Sequence, residues 1–190
     1  MNTDYIINNY KFEKLNKKHN LSKFLYESDD LNDFIKNDAL KQQEENLSTT
    51  QLVLCDNEII GFFSLLTDTI EIKYIQDNKS IDSIKGHKPQ VKLLPGIKIG
   101  RFAINDKYAN KGIGTEIIKQ IILDIISLSK QIGLRFIIVD AYANAYYFYK
   151  KTNFVNIKKD NKILKKIGKI IERDPQRTFT MYQDIKYVKI

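Results

Sequence analysis

An apolar helix pattern that directly follows two closely spaced glycines restricts the fold more than any other segment. Between residues 115 and 130, isoleucines recur at helical spacing in two adjacent rows. The rows are Ile117, Ile121, Ile125 and Ile118, Ile122, Ile126. Two adjacent rows make a broad buried face, as on a helix that lies on a sheet. The segment therefore predicts a helix that packs against β-structure, and Gly133 is the predicted C-terminal cap.

The rest of the chain alternates strand and helix patterns. Strands are predicted at residues 10–15, 50–55, 59–67, 97–104, 136–139, 154–157 and 178–185. Shorter helices are predicted after Ser28, as far as residue 40, and over residues 143–151. The polar residues 76–90 predict a loop. This order indicates an α/β sandwich around a mixed sheet.

Length and composition exclude several classes. The 190 residues show no repeat or linker, which predicts one domain over residues 1–190. A single cysteine, Cys55, excludes an internal disulfide, and with only two histidines a structural zinc site is not expected. No apolar run is long enough to span a membrane, and the N-terminus lacks the apolar core of a signal peptide. A cytoplasmic location is expected.

The net charge of +8 is unevenly distributed. Residues 19–45 carry seven acids and three lysines, whereas residues 158–173 carry seven bases and two acids. A positive chain suits a polyanion such as RNA or a phosphorylated ligand. The abundance of Lys, Asn and Ile also fits AT-rich codons, which alone would supply many lysines. Both explanations stay open.

The turn before the long helix predicts an anion site. Gly112 and Gly114 let a ligand approach the backbone, and the N–H groups of residues 111–115 are expected to be free at the helix N-terminus. Thr115 adds a hydroxyl group and Lys111 a positive charge. The pattern indicates a phosphate or pyrophosphate cradle, or glycines that only shape a tight turn into a buried helix.

Two other phosphate-binding motifs do not fit this turn. The P-loop needs a lysine between the glycine and the Ser/Thr, but Thr115 follows Gly114 directly. The dinucleotide fingerprint needs a third glycine at the position of Ile117.

The turn resembles motif A of the GNAT acyltransferases, Gln/Arg-x-x-Gly-x-Gly/Ala, with alanine in place of the usual Gln or Arg. The matching residues are Ala109, Asn110, Lys111, Gly112, Ile113 and Gly114. The resemblance implies the GNAT fold, in which helices flank a mixed sheet of about 6–7 strands. It also implies acetyl-coenzyme A as cosubstrate, no metal, and strands that splay at the cosubstrate site. The expected cosubstrate contacts add Phe102, Ala103 and Ile104 on the preceding strand, together with Thr115.

A second segment, VDAYANAYYFYKKTNF, resembles motif B of the same family. The resemblance implies that Asn144 contacts the pantetheine arm and that Tyr149 protonates the departing thiolate. Without the motif, Tyr149 would be interpreted as one of several buried structural aromatics. Asn153 replaces the glycine usual before the final Phe, and Asn also tolerates the left-handed conformation that a helix end requires.

The N-terminal half resembles the GNAT toxins of type II toxin–antitoxin pairs. The layout of Leu31, Asn32, Phe34, Ala39 and Gln43 matches their first helix. The later PGIKIGRFAINDKY matches their Pro-x-x-x-Leu/Ile-Gly-Arg-Leu/Phe-Ala-Val/Ile. The similarity extends over about residues 24–154. It implies an antitoxin as partner and, because relatives are often dimers, a second copy of the chain; neither DNA nor a membrane is expected.

The branch implies acetylation of the α-amine of aminoacyl-tRNA, which blocks translation. The attacking amine must be neutral, and an α-amine with a pKa near 8 loses its proton far more easily than a lysine side chain. The chain offers no obvious base at a motif position, since His19 and His87 fall in predicted loops and are expected to be solvated. An α-amine acceptor therefore fits.

The candidate substrate-binding residues are chosen for their positive charge. Residues 158–173 form a basic insertion relative to the branch, in which lysines alternate with Ile and Leu. The segment is interpreted as an amphipathic element that binds RNA phosphates or as an ordinary solvated helix face. Its candidate substrate residues are Lys158, Lys159, Lys162, Lys165 and Lys166. Arg101 either lies near the acceptor or pairs with an acid on the sheet.

Two further hypotheses stay open. In the first, a GNAT enzyme acetylates a small amine or a protein N-terminus, independently of RNA. In the second, the chain is an acyl-coenzyme A-binding regulator or an RNA-binding module that has no turnover.

Overall fold

The computed structural model describes residues 1–86 and 92–188. Its strands are β1 (Lys11–Lys14), β2 (Thr49–Cys55), β3 (Glu58–Glu71), β4 (Leu93–Ile104), β5 (Phe136–Tyr142), β6 (Val155–Asn156) and β7 (Thr178–Asp184). In this part of the chain they form one seven-stranded sheet in the order β1-β2-β3-β4-β5-β7-β6. The predicted α/β class and strand number are confirmed.

The helices are α1 (Thr3–Asn9), α2 (Asp29–Asp33), α3 (Ala39–Glu44), α4 (Asn78–Lys85), α5 (Ile113–Leu128), α6 (Tyr146–Lys151), α7 (Asn161–Leu164) and α8 (Ile167–Arg173). A π-helical segment, Phe34–Asp38, joins α2 to α3. Short 3₁₀ turns lie at Ile72–Tyr74, Asp106–Tyr108, Ala143–Ala145, Lys158–Asp160 and Ile185–Tyr187. Within residues 1–86 and 92–188, no helix is both long and apolar enough to cross a bilayer.

The chain divides into two compact units. Unit 1 comprises Met1–Leu66 and Ile99–Gln120, and unit 2 comprises Thr67–Lys98 and Ile121–Ile190. In unit 1, Phe24 and Phe34 pack on Phe62 of β3, with ring centroids 5.3 and 6.0 Å apart. In unit 2, Phe136 of β5 packs edge-on against Tyr182 of β7. The single-domain organisation stays a prediction.

The first hairpin follows directly from its turn residues. Asp56 and Asn57 both have positive φ, 47° and 65°, which matches the twist of a two-residue hairpin turn between β2 and β3. Cys55, just before the turn, is buried and free, and burial raises the pKa of its thiol.

Two polar residues, Asn32 on α2 and Gln43 on α3, connect chain segments in unit 1. The Asn32 amide accepts the N–H of Tyr26 at 3.0 Å and donates to the Tyr26 carbonyl at 2.7 Å. The Gln43 amide donates to the Leu15 carbonyl at 2.8 Å and accepts the Thr50 N–H at 3.1 Å. These contacts attach the helical segment to the loop before it and to β1 and β2.

The predicted loop over residues 76–90 is wrong where α4 forms. Asp77 accepts the Ser80 N–H at 2.7 Å as an N-cap, and the Ser80 hydroxyl hydrogen bond lowers the pKa of the Asp77 carboxyl. Ser80 and Ile84 are buried on one face of the helix. The Asp-x-x-Ser spacing was a usable start signal that the polar composition obscured. His87 and Pro89 lie outside the described residues.

The long helix begins and ends two residues earlier than predicted. It covers Ile113–Leu128, and Gly133 follows the helix end by five residues without a positive φ, so the predicted glycine cap is wrong. The helix instead ends in a turn in which the Lys130 N–H donates to Ser127. Helix α1 was not predicted from the sequence; the Asn2 side chain caps it by accepting the Tyr5 N–H.

Gly61 lies where β3 closely approaches β4. A Cβ on Gly61 would lie 2.5 Å from the Ala103 carbonyl oxygen and 2.8 Å from Ile104 Cδ1. The first contact is with backbone, so β4 would have to move. We expect Gly61→Ala to lower the free energy of unfolding by about 1–3 kcal/mol in a urea titration.

The matched control is Gly133→Ala, because a Cβ there would meet no atom within 4 Å. Its free energy of unfolding should stay within about 0.5 kcal/mol of the parent chain. Equal midpoints for the two variants would show that the close approach at Gly61 does not constrain the strands.

Candidate active site

The turn before α5 has the conformation that its glycine and asparagine predict. Asn110 and Gly112 both have positive φ, 60° and 82°. Both residues are exposed, whereas Ile113, the first residue of α5, is buried. A Cβ on Gly112 would meet no atom within 4 Å, so the space beside this backbone is open. The left-handed φ explains a glycine here, and the open space gives a ligand access to the backbone.

The N-terminus of α5 presents several unsatisfied donors. Among the described residues, the N–H groups of Lys111, Gly112, Ile113 and Gly114 have no hydrogen-bond acceptor. The Thr115 N–H donates to the Gly112 carbonyl at 3.0 Å, so the expectation of a free N–H at Thr115 is wrong. Free N–H groups and the positive end of the helix dipole favour a bound anion.

A cluster of hydrogen-bonded side chains that the sequence did not predict lies just before this turn. Tyr108 is buried, and its hydroxyl donates to Glu58. The Lys107 ammonium donates to the same carboxylate at 2.9 Å. The hydrogen bonds from Tyr108 and Lys107 lower the pKa of the Glu58 carboxyl. The hydrogen bonds that Lys107 makes with Tyr108 and Glu58 raise the pKa of the Lys107 ammonium group. The Lys111 ammonium donates to the Lys107 carbonyl at 2.8 Å.

The strand before the turn is mostly covered. Ala103 and Ile104 are buried and Phe102 is half-buried. The Asn105 N–H donates to the Ile60 carbonyl at 2.8 Å, which holds the strand end in unit 1. The predicted strand contacts with the cosubstrate would involve backbone. They, and the splaying of the strands, stay predictions.

In unit 2, Tyr149 is positioned by aromatic packing. It lies on α6 with 8% of its surface exposed, and its ring packs edge-on against Phe148 and Phe154 at centroid distances of 5.1 and 5.5 Å. Asn153 has φ 68°, the left-handed conformation expected at this helix end. Packing fixes the ring, and the general-acid role of Tyr149 stays a prediction.

Asn144 lies on the 3₁₀ turn before α6. Its side chain is exposed, and its N–H donates to the Pro175 carbonyl at 3.1 Å. The neighbouring Ala143 N–H donates to the Arg177 carbonyl at 2.8 Å. Two backbone hydrogen bonds therefore hold this turn, while the Asn144 side chain faces solvent.

The basic insertion is amphipathic, but its helical structure is interrupted between α7 and α8. The 3₁₀ turn Lys158–Asp160, α7 and α8 follow one another, and Leu164 and Ile167 are buried. Its candidate substrate lysines are all exposed: Lys158, Lys159, Lys162, Lys165 and Lys166. The predicted separation into an apolar and a cationic side is present, whereas RNA binding stays a prediction.

Arg101 pairs with an acid, although not one on the sheet. Its Nε lies 3.7 Å from Asp30 Oδ2 on α2, and its guanidinium lies 5.3 Å from the centre of the Phe34 ring. Its Nη1 donates to the Gly100 carbonyl at 3.1 Å. The alternative in which Arg101 forms an ion pair is thus present, with a helix rather than the sheet supplying the acid.

His19 is not a solvated side chain. Its Nε2 lies 2.9 Å from Glu13 Oε1, and its Nδ1 accepts the Asn16 N–H at 3.1 Å. Both ring nitrogens have structural partners, so His19 holds the loop after β1. Among the described residues, no group of three or more His, Cys, Asp or Glu could hold a metal ion.

Comparison with known protein families shows to which family the chain belongs. The family model for the acetyltransferase (GNAT) domain matches residues 18–167, well over half of the sequence. The protein belongs to the GNAT acetyltransferase family. The resemblance inferred from the two motifs is confirmed.

Three solved structures have the same fold. A Tyr-to-Phe variant of KacT has a TM-score of 0.73 at 15% identity, covering 94% of this chain and 96% of that chain. AtaT complexed with acetyl-methionyl-tRNAfMet has a TM-score of 0.73 at 17% identity, with coverage of 94% and 96%. A Tyr-to-Phe variant of the AtaT toxin, bound to the C-terminus of the antitoxin AtaR and to acetyl-CoA, has a TM-score of 0.66 at 16% identity, with coverage of 94% and 94%.

Proposed function

We propose that this protein transfers the acetyl group of acetyl-CoA to the α-amine of an aminoacyl-tRNA. The observation that carries the proposal is the exposed turn at the N-terminus of α5, where Gly112 has positive φ and four consecutive N–H groups have no acceptor among the described residues. Such a turn suits the pyrophosphate of coenzyme A. In the reaction an amide bond forms and the thioester C–S bond breaks. The amine loses a proton, and the departing thiolate gains one.

The proposed cosubstrate residues act through backbone and polar groups. The residues from Ala109 to Thr115 bind the pyrophosphate, and Phe102, Ala103 and Ile104 supply backbone to the pantetheine and thioester. The exposed Asn144 side chain contacts the pantetheine arm. Tyr149 donates its hydroxyl proton to the departing thiolate, and the aromatic packing of its ring supports that role by limiting its motion.

An aminoacyl ester suits a reaction that needs no strong base. Its α-amine has a low pKa and is substantially neutral at physiological pH, unlike a lysine side chain. His19, one of the two histidines of the chain, is engaged by Glu13 and Asn16. AtaT, whose fold this chain shares, has been solved with acetyl-methionyl-tRNAfMet. The exposed lysines of residues 158–173 supply positive charge for the tRNA backbone.

The partners and location follow from the same proposal. A translation-blocking acetyltransferase would act in the cytoplasm, where charged tRNA is found. An antitoxin chain would restrain it, as the AtaT variant is found bound to the C-terminus of AtaR. A homodimer is also proposed.

Thiol release separates the open hypotheses. We expect coenzyme A to be released when the protein is mixed with acetyl-CoA and charged tRNA, but not with deacylated tRNA. Release with peptides or small amines but not with charged tRNA would favour a small-amine or N-terminal acceptor. Absence of release with every acceptor would favour a non-catalytic acyl-CoA-binding or RNA-binding protein.

A further inference from the structure

Unit 2 contains a lysine-lined groove outside the two family motifs. The groove has a volume of about 420 Å³, and the apolar side chains Ile72, Ile75 and Ile81 contribute to its walls. Its charged residues are Glu71, Lys73, Lys85, Lys92 and Lys158. We call this feature the lysine groove. Its net charge is +3.

Most of this charge is not neutralised by the residues that the structure describes. Lys73 is paired with Glu71 at 2.6 Å, and this hydrogen bond raises the pKa of Lys73. Lys85, Lys92 and Lys158 are exposed, and none has a carboxylate within 4.0 Å in the described part of the chain. Three ammonium groups are therefore available to an anionic partner.

The fold brings these lysines together from four separate chain segments. The Ile72 N–H donates to the Lys92 carbonyl at 3.1 Å, which joins the 3₁₀ turn after β3 to the start of β4. Two ammonium groups lie over the ring of Tyr74, with Lys73 Nζ 4.7 Å and Lys159 Nζ 5.3 Å from the ring centre. These contacts connect the basic insertion to the turn. Codon bias would scatter lysines over the surface, but it does not explain this convergence.

We propose that the lysine groove binds the phosphodiester backbone of the acceptor tRNA. Lysine ammonium groups bind phosphates as compact point charges. The inference rests on the proposed tRNA acceptor. It assigns acceptor binding to α4, the turn Ile72–Tyr74 and the first residues of the insertion, and it leaves coenzyme A to the turn before α5.

The test reverses the three unpaired charges in one variant, Lys85→Glu/Lys92→Glu/Lys158→Glu. The control variant, Lys14→Glu/Lys18→Glu/Lys130→Glu, reverses three other exposed lysines that have no salt bridge among the described residues. Binding of deacylated tRNA is measured by fluorescence anisotropy at several salt concentrations. Thiol release is measured with charged tRNA and with methionine methyl ester as a minimal α-amine acceptor. A Lys→Gln version of the groove variant, together with thermal melting, checks the fold.

We expect the groove variant to bind tRNA about 10–100-fold more weakly, with a salt slope reduced in magnitude by about 2–3. KM for charged tRNA should rise while turnover of the methyl ester stays unchanged, and the control variant should behave like the parent chain. Unchanged tRNA binding, or equal weakening in the control, would overturn the inference. Loss of methyl ester turnover in folded protein would overturn it too, because the lysines would then serve the cosubstrate.

The experiment distinguishes failure of the inferred RNA binding by the lysine groove from failure of the proposed function. Anisotropy reports RNA binding without turnover, so a groove variant that loses RNA binding supports the groove even if charged tRNA is never acetylated. Acetylation of charged tRNA at the parental KM by the groove variant would uphold the function and overturn the groove.

Discussion

Replacing Tyr149 by Phe is expected to reduce turnover by about 10²–10⁴-fold, the usual contribution of a general acid. The substitution removes one hydroxyl from a ring that is otherwise fixed by Phe148 and Phe154. The volume of the side chain hardly changes, so the fold and the affinity for acetyl-CoA should persist. Stopped-flow thiol release and calorimetric titration of acetyl-CoA measure the two quantities separately.

Two tyrosines on the same helix provide matched controls. Tyr146 is as buried as Tyr149, at 7% against 8% exposed, and burial raises the pKa of its hydroxyl. Tyr147 is 57% exposed. Tyr146→Phe and Tyr147→Phe should both keep parental turnover. If Tyr149→Phe also kept it, Tyr149 would be a structural aromatic and the thiolate would take its proton from elsewhere.

Gly112→Asn is expected to weaken acetyl-CoA binding by at least about tenfold, or 1.4 kcal/mol, while the free energy of unfolding changes little. Asparagine tolerates positive φ, as Asn110 and Asn153 demonstrate in this chain. A Cβ at Gly112 would meet no atom within 4 Å, so we expect the asparagine side chain to extend into the open space proposed for the pyrophosphate. Calorimetry and urea unfolding measure the two effects.

The control for this substitution is Gly133→Asn. Gly133 has open space around it and no positive φ. Both the affinity for acetyl-CoA and the stability should be unchanged in this variant. If Gly112→Asn bound acetyl-CoA as tightly as the parent chain, the glycine would serve only the turn, and the phosphate cradle would have to lie elsewhere.

Local patterns of apolar residues predicted much of the fold because the residues in such patterns are the ones that become buried. The two isoleucine rows on α5 are almost entirely buried, with Ile126 half-buried, and the strands predicted at residues 50–55 and 59–67 coincide with most of β2 and part of β3. The Gly-x-Gly turn was predictable because positive φ leaves a clear signal at Gly112. Helix α4 was missed because its signal is one capping residue and two isoleucines within a polar segment.

Contacts between distant segments were beyond the sequence. Nothing in the local pattern predicts that Tyr108 donates to Glu58, or that Arg101 pairs with Asp30 on a helix. The lysine groove is a further example, because Lys158 was singled out in the basic insertion but its proximity to Lys85 and Lys92 was not. Such clusters depend on the topology of the fold, which the spacing of residues along one sequence does not reveal.

The most direct test is the identity of the product. Purified protein is incubated with acetyl-CoA and a mixed pool of charged tRNA, and the aminoacyl-tRNA is then analysed by mass spectrometry. The proposed function predicts N-acetyl-aminoacyl-tRNA, absent without acetyl-CoA and strongly reduced with Tyr149→Phe. Charged tRNA that stays unacetylated, while coenzyme A is released with peptide or small-amine acceptors, would contradict it.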